Sequence, residues 1–123
     1  MLASWIGWIL IVSGVATAAG GLVACLFPQP VLRVVFGAKS ADGPTMFLTR
    51  HWGALLCVVC ALTVYSAYFP AIRAPILTAA IIEKFVIVAL ILFGPVKRTF
   101  AMTAIAALDG TLAIVFVAYL SGL

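Results

Sequence analysis

Acidic side chains are scarce in this chain: three occur among 123 residues, beside a single histidine. That scarcity removes most familiar catalytic chemistry. There are no paired carboxylates with obvious spacing, no Gly-rich phosphate loop, no GxSxG and no HExxH. One His without Cys, His or carboxylate partners at ligand spacing argues against a metal site, so neither metal nor cofactor is expected. Charged residues of either sign make up only 8%, against 67% hydrophobic. A soluble domain of that composition would expose large apolar patches and aggregate. No basic stripe interleaved with aromatics occurs, so nucleic acid is not an expected partner. Long polar linkers, low-complexity runs and convincing internal repeats are also missing.

What is present is apolar sequence. Four segments, Trp5–Leu26, Met46–Phe69, Ala74–Pro95 and Phe100–Leu120, match the length of about 20 residues that crosses a bilayer as a helix. They predict an all-α membrane protein, one integral domain folded as an antiparallel up-down four-helix transmembrane bundle. The first segment lacks a basic n-region and is too long for a signal-peptide h-region, so it is read as a retained helix. Its Ser13, Thr17 and Gly21 form a small-xxx-small ladder that lets backbones approach, either inside the bundle or at a dimer face. Phe27-Pro28-Gln29-Pro30 breaks this helix. Val31 to Phe36, ending at Gly37, then predicts a short interfacial segment between the first two spans, with Arg33 reaching toward headgroups. Asp42-Gly43-Pro44 reads as the start of the second span, with Pro at its first position.

Basic residues are distributed unevenly. The first loop carries Arg33 and Lys39, with Arg50 just inside the second span, and the third loop carries Lys97 and Arg98; the opposite side holds only Arg73. The positive-inside rule puts loops one and three in the cytoplasm and both ends of the chain outside. The +4 net charge accordingly reads as orientation and contact with anionic membrane lipid. Trp5, Trp8, Tyr65, Tyr68, Phe69 and Tyr119 would form an aromatic belt at the outer interface.

The sharpest feature is Glu83-Lys84 at the centre of the third span. Each ionised group at a helix centre costs ~2.5–3.5 kcal/mol on translocon scales. Lys84 lies twelve residues before Val96 in the turn and Asp109 thirteen after it. Antiparallel helices rise equally on both sides of a turn, so the two share a depth near the midplane. A Lys84–Asp109 contact is expected, because an unpaired buried charge is the worst alternative. Glu83 points about 100° away from Lys84 around the helix and so should not share its groove. Its expected partner is Arg50 or His51 on the second span; failing that, it would hold its proton, since desolvation penalises the charged form.

Arg50-His51-Trp52-Gly53 is the second polar group. Arg50 is expected to snorkel to cytoplasmic headgroups, and His51 shares a helical face with Leu55, Val58, Leu62 and Tyr65, an interior-looking stripe. Arg50 and His51 are thus candidate additional lining for the Glu83, Lys84 and Asp109 cluster. Gly53 is placed for close helix approach. Cys57-Val58-Val59-Cys60 has redox-type spacing, but in so apolar a stretch the thiols are expected to stay protonated and inert as small hydrophobes.

The order of elements resembles the small bacterial four-span proteins of the DoxX-like group. An apolar first helix leads to Pro30-Val31-Leu32-Arg33-Val34-Val35-Phe36-Gly37. The second helix opens with Phe47-Leu48-Thr49-Arg50 and reaches Gly53, and a Pro70 to Pro75 turn precedes the third. The resemblance implies an up-down four-helix bundle in a bacterial inner membrane and transfers no active-site residues. The expected function is intramembrane binding or association through the Glu83, Lys84 and Asp109 cluster, with a lipophilic small molecule, a second copy or another protein as partner. Two alternatives stand beside it. One is a small membrane enzyme, isomerase or cyclase-like, on a lipophilic substrate; the other is a proton-coupled carrier of a lipophilic molecule.

Overall fold

The computed structural model describes residues 2–122. Among them are five α-helices and no strand: α1 Leu2–Leu26, α2 Pro28–Phe36, α3 Gly43–Tyr68, α4 Arg73–Phe93 and α5 Phe100–Leu120, with one turn of 3-10 helix, Pro70–Ile72, before α4. Four of these helices are long and apolar enough to cross a membrane: α1, α3, α5, and α4 extended by its preceding turn. The protein is an all-α, polytopic four-helix bundle, as its hydropathy predicts.

Caps and prolines set the helix ends. The Asp42 carboxylate accepts a 2.8 Å hydrogen bond from the Thr45 amide, so α3 starts at Gly43 rather than Met46, with Pro44 in a first turn whose amides have no helical acceptor anyway. The same rule corrects the expectation for Pro28 and Pro30. Both lie in the first turn of α2 and start that helix rather than preceding it. Gly37 closes α2 at φ 69°, with its amide bonded to Arg33 O and the Ala38 amide to Leu32 O. This turn places a left-handed residue at Gly37, a conformation Gly adopts without penalty. The fourth element stops at Phe93, short of Pro95. Gly94 is extended (ψ 166°), the conformation that a following proline enforces.

The bundle is made of two intimate pairs, α1 with α3 and α4 with α5; α3 with α4 and α1 with α5 meet less closely. Glycines explain the first pair. A Cβ at Gly21 would stand 2.7 Å from Gly53 O and 3.0 Å from Cys57 N, and one at Gly53 would collide with Gly21 O and lie 2.6 Å from Cys25 N. The backbones therefore touch, and Gly14 and Gly21 of α1 serve this interior seam. Ser13 and Thr17 return their hydroxyls to Ile9 O and Ser13 O. Ile6, Leu10, Leu77, Ala80, Leu112 and Phe116 form the apolar core on the side of the bundle where the chain begins and ends.

The stripe expected to be interior on α3 faces outward. His51, Leu55, Val58, Leu62 and Tyr65 are all exposed, Val58 by 56%, while Thr49, Gly53, Cys60, Thr63 and Ser66 are buried. In lipid both sides are equally apolar, so size and polarity decide which face turns inward.

Candidate functional site

Lys84 and Asp109 meet because the α4–α5 hairpin turns between Gly94 and Thr99 and brings equal helix lengths back. Lys84 Nζ lies 3.4 Å from Asp109 Oδ1, with both side chains at most 10% exposed. The expected ion pair is present. Lys84 Nζ also lies 4.0 Å from Glu83 Oε2, so the four-carbon stem of lysine overcomes the angular separation of neighbours on a helix. Glu83 and Lys84 do share a pocket, against expectation. That pocket, at the centre of the bundle, measures only about 10 Å³ and is edged by Ser13, Thr17, Cys60 and Thr63 among others. It is about the smallest space that holds one water. Glu83 Oε2 is buried there and has no hydrogen-bond partner.

Glu83 has a second aspect. Its side chain remains 28% exposed and reaches a groove of about 390 Å³ between α3 and α4, lined by Trp52, Leu55, Leu56 and Val59 from α3 and by Glu83, Val86, Ile87 and Leu90 from α4. The looser packing of these two helices leaves that space. A groove of about 430 Å³ between α1 and α5 is lined by residues such as Trp8, Val12, Thr17 and Leu108, and no ionisable side chain enters it.

Arg50 and His51 do not join the cluster. The Arg50 guanidinium donates to Cys25 O at 2.9 Å, capping the end of α1, whose last carbonyls lack helical partners. His51 sits on the outward face of α3. Neither supplies Glu83 with a partner. Trp52, which follows His51, lines the groove instead and takes Phe36 of α2 edge-on at 6.2 Å. The small polar residues Ser13, Thr17 and Thr63 near the cluster were also missed as site residues. Their signal was the helical spacing of small side chains, Ser13, Thr17 and Gly21 along α1 and Thr49, Gly53, Cys60 and Thr63 along α3.

The cysteines behave as small packing residues. All three are free; Cys57 Sγ donates to Ala18 O at 3.0 Å across the α1–α3 seam, and Cys60 is 4% exposed beside the cluster. Among the described residues no group of three or more His, Cys, Asp or Glu could hold a metal ion.

Two further contacts fix the ends of the bundle. Arg73 Nε and Nη2 donate to Ser66 O and Ala67 O at 2.7 and 2.6 Å, and Nη1 donates to the Tyr119 hydroxyl at 3.3 Å. At the other end the Thr99 hydroxyl donates to Val35 O, fastening α2 to the start of α5.

These features define a polytopic four-helix membrane protein with a buried ion pair and an apolar groove into which one carboxyl group opens. No protein-family model, curated protein or solved structure matches the chain.

Proposed function

We propose that the protein binds a lipophilic molecule within the membrane, in the groove between α3 and α4, with Glu83 as its polar contact. The observation that carries this reading is that Glu83 is the one ionisable residue in the groove lining and keeps part of its side chain exposed beside otherwise apolar walls. A hydrogen bond to a charged group contributes about 1.5–3 kcal/mol. A ligand that brings a donor to the exposed side of this carboxyl gains that contact and covers apolar wall as well. Binding is favoured over an isomerase or cyclase because Lys84 and Asp109 engage each other and neither lines the groove. A substrate there would meet Glu83 as its single acid–base group.

The protein's proposed place is a bacterial inner membrane, with both ends of the chain outside the cytoplasm. Arg33, Lys39, Arg50, Lys97 and Arg98 belong to the end of the bundle where α2 lies, and Arg73 to the other. Trp5, Trp8, Tyr65 and Tyr68 stand exposed at the Arg73 end. That is the pattern of a cytoplasmic basic face and an outer aromatic belt.

Native mass spectrometry of the protein released from lipid nanodiscs tests the binding reading. A retained small molecule or lipid is expected on the unaltered chain and is expected to be lost from Glu83→Gln. A bare chain, or an adduct that survives the substitution undiminished, would overturn it.

A further inference from the structure

We infer that the occupant of the α3–α4 groove is a lipophilic cation, an organic ammonium on an apolar body, held by the Glu83 carboxylate. This rests on the binding reading above and names its ligand class. The argument is charge balance. The charged and titratable groups around Glu83 are Lys84 on its own helix, Asp109 on α5 and Cys60 on α3; α1 presents only the Ser13 and Thr17 hydroxyls. One ammonium therefore serves two carboxylates, and it stands closer to Asp109 (3.4 Å) than to Glu83 (4.0 Å). With all three ionised, the cluster carries one surplus negative charge in apolar surroundings, where an uncompensated charge is unfavourable.

Apart from a proton on Glu83, the missing positive charge has one route of supply. Arg50 is committed to Cys25 O and His51 faces outward. The central pocket of about 10 Å³ admits no more than a water, whereas the groove of about 390 Å³ admits an organic head and body. An anionic lipid head there would meet a carboxylate of its own sign. Trp52 in the same lining belongs to the side-chain type that attracts organic cations most strongly. The α1–α5 groove, similar in size but without an ionisable wall, is a built-in comparison: it offers an apolar body the same shelter and a cation no counterion.

The test uses the full chain in phosphatidylcholine nanodiscs. Trp5→Phe with Trp8→Phe leaves Trp52 as the sole tryptophan. Its fluorescence is quenched with two nitroxide-bearing probes, a dodecyl trialkylammonium and a neutral isostere of the same length. Saturable quenching by the ammonium is expected, with the neutral probe weaker by about tenfold or more, equivalent to about 1.4 kcal/mol. Glu83→Gln is expected to remove that preference and leave the neutral probe unchanged. Glu83→Asp keeps the charge and is expected to keep the preference, which covers the case in which the Gln variant fails to assemble. Equal saturable quenching by both probes would overturn the cation assignment and leave groove binding standing; a proton on Glu83, or a neutral natural ligand, gives that result. Quenching that never saturates for either probe would overturn the binding reading, and the cation assignment with it.

Discussion

At the scale of single residues, the buried Lys84–Asp109 ion pair dominates. Removing one partner of a buried pair leaves the other charge uncompensated and costs about 3–5 kcal/mol, whereas replacing both with apolar groups is far milder. Lys84→Met and Asp109→Leu are therefore each expected to lower the unfolding free energy in mixed micelles by about that amount. The double substitution is expected to cost much less than their sum; simple additivity would sink the pair. Asp42, at the start of α3, gives a pH prediction. Hydrogen bonds from the Thr45 hydroxyl and then its amide hold the Asp42 carboxyl below its ordinary value. Because the folded value is depressed, the cap is at full strength above the ordinary carboxylate range and fades as pH falls through the folded value. The amide protection factor of Thr45 is expected to drop across that acidic window, and Asp42→Ala to remove the dependence. The Lys84–Asp109 contact was legible because both residues count back equally from one turn. The role of Arg50 was not, because it depends on where the carbonyl of Cys25 on another helix comes to rest.

At the scale of elements, the α1–α3 seam sets the geometry. A methyl group at Gly53 or Gly21 would press directly on backbone, which a flexible side chain could not relieve by moving. Gly53→Ala and Gly21→Ala are each expected to destabilise by about 1–3 kcal/mol, as overpacking does. Gly7 and Gly20 have nothing within 4 Å of such a methyl, and Ala at either is expected to be neutral or to stabilise by about 0.5–1 kcal/mol. Thermal unfolding of the four variants side by side checks the contrast; equal effects would mean the helices do not touch as described. Of the ladder expected on α1, Gly21 meets the backbone of α3, while Ser13 and Thr17 line the α1–α5 groove. The outward turn of His51, Leu55 and Val58 was not legible in the sequence, because hydrophobicity does not distinguish interior from exterior when the surroundings are lipid.

For the whole molecule, the consequence of pairing α1 with α3 and α4 with α5 is that the seams between pairs stay open. Both grooves lie at those seams, and Glu83 enters one of them. The ends of the bundle differ in charge, which makes topology testable. In a cysteine-free background, Cys placed at Gly122 is expected to react with an impermeant maleimide added outside intact cells, and Cys at Lys39 only after the cells are opened. The reverse pattern would overturn the proposed orientation.

Four membrane-crossing helices follow from the sequence alone, because long, mostly apolar runs with prolines and glycines between them leave the backbone no other way to satisfy its hydrogen bonds in lipid. The sequence also put Lys84 and Asp109 at one level along the α4–α5 hairpin, since rise per residue is fixed. Tertiary structure decided which face of α3 turns inward, which helices pack tightly, and that Glu83 lies within reach of Lys84 yet opens to a groove. Those outcomes depend on how closely backbones can approach and how far a long side chain can bend, and neither is a property of one helix alone.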